Sequence, residues 1–420
     1  MTPLPSLSLS TPSPSTCLWT PRGSPYPLTS LASGTCPSPS GPSIPWSRPP
    51  SCPDPPNKHI GGDHPDDCIF TYPTFRNGQG ISIITFPSIA ASLAESLDDG
   101  IVPDSVKNFP SSPQAPSHLQ HKKAYTVKDI PGRGKGVILT RDAARHERML
   151  TGHPVLLVRF DFLSSERFGS DLIQEMLEEA VSALPEETQK AIEGLARGKK
   201  GKQGWVADVI KTNGYGGMDV EGVGHIALFL DGSRVNHGCR PTVFWRYNAK
   251  TMTMEMVAVR DLKAGEEIVH TYIPLGYTLQ ERELMLKVWG FKCSCSLCSA
   301  SPQETAASDD RRERLFEIHQ TLTSATQEAS LPRERIDAIV REASALIGLE
   351  GLDPLVEYMF VFARAYMSIN EVALARKYTQ LAEAKLRLYE GEDSANNSVP
   401  MQMLWRELKE LEKEIDEDEW

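Results

Sequence analysis

Cys293-Ser294-Cys295-Ser296-Leu297-Cys298 places three thiols within six residues. Thiolates this close together serve one small volume, and zinc takes sulfur ligands tetrahedrally at about 2.3 Å. Three sulfurs are one short of a closed structural site. The missing ligand must come from elsewhere, and Cys239 is the one other cysteine in the second half of the chain. Three inert buried thiols are the alternative, but the tight spacing at the end of a strand-rich stretch favours metal.

Working outward, Arg234-Val235-Asn236-His237-Gly238-Cys239-Arg240-Pro241 sets Asn beside His in a turn, a pair that binds a ligand, orients a group or closes a loop. Gly265-Glu266-Glu267 feeds a strand expected over Ile268–Ile273, which contains Tyr272; taken alone, a tyrosine at a strand end is packing. Upstream, Gly134-Lys135-Gly136 enters a strand running to Thr140, and Gly78-Gln79-Gly80 before Ile81–Thr85 is a weak echo of it. Further short strands are expected over Ile226–Leu230, Val243–Tyr247 and Met254–Val259. Between them, residues 161 to 200 carry apolar Leu172, Met176, Leu177 and Val181 at helical spacing, with a break at Pro185. From Arg311 onward the pattern is helical. Tyr358–Ile369 and Val372–Tyr389 read as an amphipathic pair about Asn370, with Ala363, Ala375 and Ala382 where the helices approach.

The first 58 residues differ in kind, holding 16 of the 32 prolines, 13 serines and four charged residues. Such a segment cannot bury enough apolar surface to offset its ordering entropy and is expected to be disordered. The whole chain, at 420 residues, is long enough for two or three domains. Its net charge of −11 argues against a phosphate-backbone binder, so no direct nucleic-acid contact is expected. No apolar stretch approaches the roughly 20 residues needed to span a bilayer, and the start lacks a secretory pattern. An intracellular protein, in nucleus or cytoplasm, is therefore expected, with Cys17, Cys36, Cys52 and Cys68 kept reduced.

Taken in order, these elements resemble the SET-domain protein lysine methyltransferases. The matching residues are Gly132-Arg133-Gly134-Lys135-Gly136 before the first strand, Asn236-His237-Gly238-Cys239-Arg240-Pro241, the Gly265-Glu266-Glu267 turn leading to Tyr272, and the closing CxCxxC. The match covers about residues 124 to 300. The helical C-terminus is similar to the tetratricopeptide-like domain of the SMYD branch and its fungal relatives, although no cysteine-rich MYND finger interrupts residues 160 to 205.

The resemblance implies an α+β chain: a disordered tail over 1–66, a short strand segment and linker over 67–123, and a β-rich SET domain over 124–278 with a helical insert near 161–205. A post-SET zinc segment over 279–300 and an all-α domain over 307–416 follow. It implies methyl transfer from S-adenosylmethionine to the ε-amine of a lysine in a protein substrate, by a monomer without membrane contact. Tyr272 matches the catalytic tyrosine. Arg133, Gly134, Lys135, Asn213, Asn236, His237 and Phe291 match cofactor contacts, and Cys239 matches the fourth ligand, beside Cys293, Cys295 and Cys298, of one structural zinc. Gly238, Thr242, His270 and His146 depart from the family pattern. A catalytically silent scaffold that binds partners through its helices is the other reading, against which stands the joint presence of Arg133, Asn236, His237, Tyr272 and Phe291.

Overall fold

The computed structural model describes residues 46, 50–60, 66–97, 124–198, 204–248, 251–328 and 331–418. Most of the tail expected to be disordered, Cys17 and Cys36 included, and the 98–123 linker lie outside the described residues.

Three small sheets build the first part. In the largest, β1 (Cys68–Tyr72), β2 (Ile81–Thr85), β6 (Leu156–Arg159), β8 (Val223–Leu228) and β7 (Tyr215–Val220) lie in that order. Strands β2 and β6 are parallel, and the other neighbours are antiparallel. All five residues of β2 are buried, because both of its faces are covered. Ile81 and Ile83 join the core between the sheets with α1 (Phe75–Gly78) and α2 (Pro87–Ser96), while Ile84 on the opposite face belongs to the core built with α3 (Gly169–Ser182), α4 (Glu186–Glu193) and α5 (Trp205–Asn213). The strands at 68–85 thus belong to the main sheet, and the likeness between the two glycine turns ends there, since the strand entered at Gly134 sits in another sheet.

The second sheet is β10 (Val243–Asn248), β11 (Thr253–Ala258) and β5 (Arg148–Gly152). The third is β3 (Tyr125–Ile130), β4 (Gly134–Leu139), β12 (Glu267–His270) and β9 (Asn236–His237), with β12 parallel to β9. That parallel pair sets Val269 beside Asn236 and His270 beside His237. The β3–β4 hairpin turns through residues 131 to 133, where Gly132 at φ +74° and Gly134 at φ +68° take backbone that side chains resist.

The early cysteines correct one expectation. Cys52 and Cys68 are disulfide-bonded rather than free, because Ser51 pairs with Ile69 and sets the two cysteines opposite each other with Cα atoms 4.3 Å apart. The tail is also ordered in part: Trp46 is buried against Phe70, and Arg167 donates to the carbonyls of Lys58 and Ile60.

After α6 (Leu279–Leu286), six helices follow among the described residues: α7 (Pro302–Glu328), α8 (Arg333–Glu350), α9 (Glu357–Met367), α10 (Val372–Tyr389), α11 (Glu392–Asn397) and α12 (Val399–Asp418). Ser301 and Glu304 cap the start of α7 reciprocally. Ala363, Ala375 and Ala382 are fully buried between these helices, where small side chains allow close approach. Asn370 turns the chain between α9 and α10 at φ +59°. Among the contacts that fasten the helices to the sheets are Arg246, which donates to the Arg387 and Leu388 carbonyls, and one buried carboxylate, Glu350, which accepts from Arg240, Arg311, Arg312 and Ser308.

Candidate active site

Four sulfurs from two distant stretches converge. The Sγ atoms of Cys239, Cys293, Cys295 and Cys298 all lie within 4.8 Å of one another, with Cys239 at 3.9 Å from Cys293 and 3.5 Å from Cys298. Sulfurs on a tetrahedron with metal–sulfur bonds of about 2.3 Å stand about 3.8 Å apart. The donor set and its spacing therefore fit a closed zinc site.

The Asn236–His237 strand lies beside this cluster. Asn236 Nδ2 donates to Glu267 Oε1 at 2.8 Å and to the Lys135 carbonyl at 3.2 Å. Arg133 spans the same gap, donating to Glu267 Oε2 at 2.6 Å and to the His237 carbonyl at 2.7 Å. Sequence reasoning quoted Glu267 only as part of a turn, yet its carboxylate ties Arg133 to Asn236. Gly136 explains why the hairpin can press this close: a Cβ there would stand 2.6 Å from Ile130 Cγ1 and 2.7 Å from Glu267 Oε1. At Gly134 an added Cβ meets nothing within 4 Å. The turn is thus tight against the protein on one side and open on the other, a cradle that fits close backbone approach to a ligand.

Tyr272 stands two residues beyond β12, in the following turn rather than in the expected strand. Its hydroxyl donates to the Val235 carbonyl at 2.9 Å, and burial pushes its pKa up to about 12. It forms one wall of a cavity of about 240 Å³ together with Asn213, Tyr215, Trp245, His270 and Trp289. Tyr215 stacks on His270 with ring centroids 5.3 Å apart, and Trp289 faces Tyr272 at 5.7 Å. Every hydroxyl lining the cavity has a backbone carbonyl within reach: Tyr215 at Gly232, Ser233 at Asn213, Thr212 at Asp208, Thr271 at Ile273 and Tyr272 at Val235. The space left is aromatic, with oxygen lone pairs. Desolvation holds His270 down to about 3, so it is neutral there.

The remaining expected cofactor residues divide. Asn213 lines the cavity, but its amide donates to the Ala196 and Val209 carbonyls. Phe291, 39% exposed, sits edge-on to Tyr272 at 6.3 Å and beside His237 at 6.2 Å, so it joins the group. The departures have physical reasons. A side chain at Gly238 would meet Val269 at 2.5 Å, Thr242 Oγ1 accepts the Val269 N–H at 2.9 Å, and His146 takes φ +68° where a glycine was expected. Sequence reasoning missed Tyr215, Trp245 and Trp289; Trp289, two residues before Phe291, carried the nearest signal.

Residues 134–273, which hold the Gly134–Gly136 strand entry, the Asn236–His237 strand, Cys239 and Tyr272, match the SET domain family. The chain carries a SET domain. It is similar to the histone-lysine N-methyltransferase set5 of Schizosaccharomyces pombe, with 31% identity over 200 residues, 47% of this chain and 58% of that protein. It is also similar to the N-lysine methyltransferase SMYD2 of Homo sapiens, 32% identical over 106 residues and 24% of each chain. SMYD2-B of Xenopus laevis is 29% identical over 160 residues, 36% of each. This SET-domain chain thus spans under two thirds of the length of these curated relatives. Its β-rich SET region is followed by helices, as the resemblance implied. Among the described residues no helix is long and apolar enough to cross a membrane.

Proposed function

We propose that this chain transfers a methyl group from S-adenosylmethionine to the ε-amine of a lysine in a protein substrate, histone or otherwise, inside the cell. The observation that carries the reading is a chain of contacts: Tyr272, which walls the aromatic cavity, packs on His237, and the neighbouring Asn236 donates to the Lys135 carbonyl of the Gly132–Gly136 turn. The relatives named as histone-lysine and N-lysine methyltransferases support it.

The cofactor, held by the Arg133–Lys135 turn, Asn236, His237 and Phe291, would supply a sulfonium methyl that an amine takes in line. The chain's own residues then have three tasks. Tyr272 directs its one proton at Val235, so toward the cavity it offers only lone pairs. Those lone pairs accept an amine N–H and methyl C–H contacts, each of the latter worth about 0.5–1 kcal/mol, which aligns the reacting atoms. Tyr215, Trp245 and Trp289 exclude water, and the low polarity favours the neutral amine that can attack. Zinc held by the four cysteines would be structural, fastening the segment with Phe291 beside the site.

The test is methyl transfer with labelled S-adenosylmethionine to histones and to a whole-cell lysate, by wild type and Tyr272→Phe. The variant keeps the ring and loses one hydrogen bond to the Val235 carbonyl, so it should stay folded and bind cofactor, with stability lowered by about 1 kcal/mol. Turnover falls about 100-fold, equivalent to about 2.7 kcal/mol of barrier. Because Tyr272 ionises only near 12, the pH–rate profile has no limb at the ordinary tyrosine value of about 10. No transfer by wild type to any substrate, with cofactor bound, would overturn the reading in favour of a binding scaffold.

A further inference from the structure

His237 is buried, and both nitrogens of its ring are engaged. The backbone N–H of Tyr272 can only donate, so Nδ1 of His237, 3.1 Å away, is the acceptor and carries no proton. The ring proton therefore sits on Nε2. That nitrogen lies 3.2 Å from Sγ of Cys239, so this hydrogen bond runs from imidazole to sulfur. The ring is also wedged beside Tyr272 and Phe291, with centroids at 5.4 Å and 6.2 Å. One imidazole thus touches a sulfur of the four-cysteine cluster and the backbone of the residue proposed to align the amine.

We infer that His237 is a positioning residue that ties the placement of Tyr272 to metal loading at Cys239, Cys293, Cys295 and Cys298. The inference rests on reading that cluster as a zinc site. A closed metal site would fix Cys239 Sγ against Nε2, and with it the ring whose bare Nδ1 receives the Tyr272 N–H. Loss of the metal would free Cys239 to move, and the ring and the Tyr272 backbone bonded to it would shift together. The link acts in both directions, because groups that hydrogen-bond metal ligands set metal affinity, with losses of about 10- to 100-fold when they are removed.

Two measurements on the full chain test this without methyl transfer. Zinc affinity is read by competition with a chromogenic chelator for wild type and His237→Phe, which keeps a ring and deletes both nitrogens; the variant should bind zinc about 10- to 100-fold more weakly. In wild type labelled with nitrogen-15, the His237 ring signals should report the Nε2–H tautomer with zinc bound, and stripping zinc should move both them and the Tyr272 amide. This second measurement decides the matter if the variant does not fold. Equal zinc affinities within twofold, or a Tyr272 amide unmoved by zinc removal, would overturn the inference alone. A wild-type chain that takes up no zinc would overturn it together with the zinc reading, and neither result touches the methyl-transfer assay.

Discussion

Glu267 accepts a hydrogen bond from Arg133 at 2.6 Å with one carboxylate oxygen, while its other oxygen receives Asn236 at 2.8 Å. A single acceptor thereby joins the glycine turn to the Asn-His strand before any ligand arrives. Glu267→Gln preserves shape but turns one acceptor into a donor facing another donor. Leaving such partners unmatched costs about 1–3 kcal/mol. The expected outcome is S-adenosylmethionine affinity lowered at least ~5-fold by calorimetry, about 1 kcal/mol.

Gly136→Ala tests the packing of the same hairpin. Its Cβ would press on Ile130 at 2.6 Å and on Glu267 at 2.7 Å. Overpacking of this kind costs typically about 1–3 kcal/mol. Denaturant unfolding should show that loss, and Gly134→Ala, which meets nothing within 4 Å, should show only the strain of φ +68°.

His153 supplies a pH dependence. Burial depresses its pKa to about 3, and its Nδ1–H donates to the Met252 carbonyl at 3.2 Å. Below about 6.5 the unfolded chain takes a proton on this ring that the folded chain refuses, so the group costs stability increasingly as pH falls from about 6.5 toward 3. His153→Gln removes that group. Its stability relative to wild type should therefore improve by about 1.4 kcal/mol for each pH unit between 6 and 4, measured by denaturant unfolding.

Glu350→Ala addresses the joint between sheets and helices. The carboxylate is fully buried, as is Arg312, which donates to it at 3.1 Å. Removing one member of a buried pair strands the other and costs about 3–5 kcal/mol. Unfolding midpoints should drop accordingly. Because Arg240 follows Cys239 directly and also reaches Glu350 at 3.0 Å, zinc retention should weaken as well.

What could be read in advance follows the distances along the chain. The CxCxxC run and the Asn-His-Gly-Cys segment are compact in sequence, and in space Cys239 of the second joins the three sulfurs of the first. The helical pair about Asn370 was legible because its apolar spacing is local. Long-range pairing was not. Strand β2 finds its parallel partner at Leu156–Val158, more than 70 residues on, and nothing local in Ile81–Thr85 announces it. The cavity walls come from Tyr215, Trp245, His270 and Trp289, each of which alone reads as core. Glu267 was hidden for the opposite reason: a second acidic residue beside Glu266 in a turn looks like solvated surface until Arg133 and Asn236 are seen to converge on it.

The strap formed by residues 50–60 has a consequence for self-association. Strand β1 ends its sheet and is apolar along Cys68-Ile69-Phe70, the kind of open edge that recruits a strand from another molecule. Ser51 already occupies that edge, exchanging hydrogen bonds with Ile69 at 2.7 Å and 3.1 Å, and the Cys52–Cys68 bridge prevents the strap from drifting away. The prolines that make this stretch look structureless, among them Pro53, Pro55 and Pro56, lack the N–H groups through which a further strand would add. The segment therefore acts as a plug against edge-to-edge aggregation, made from the part of the chain least suited to form a sheet of its own.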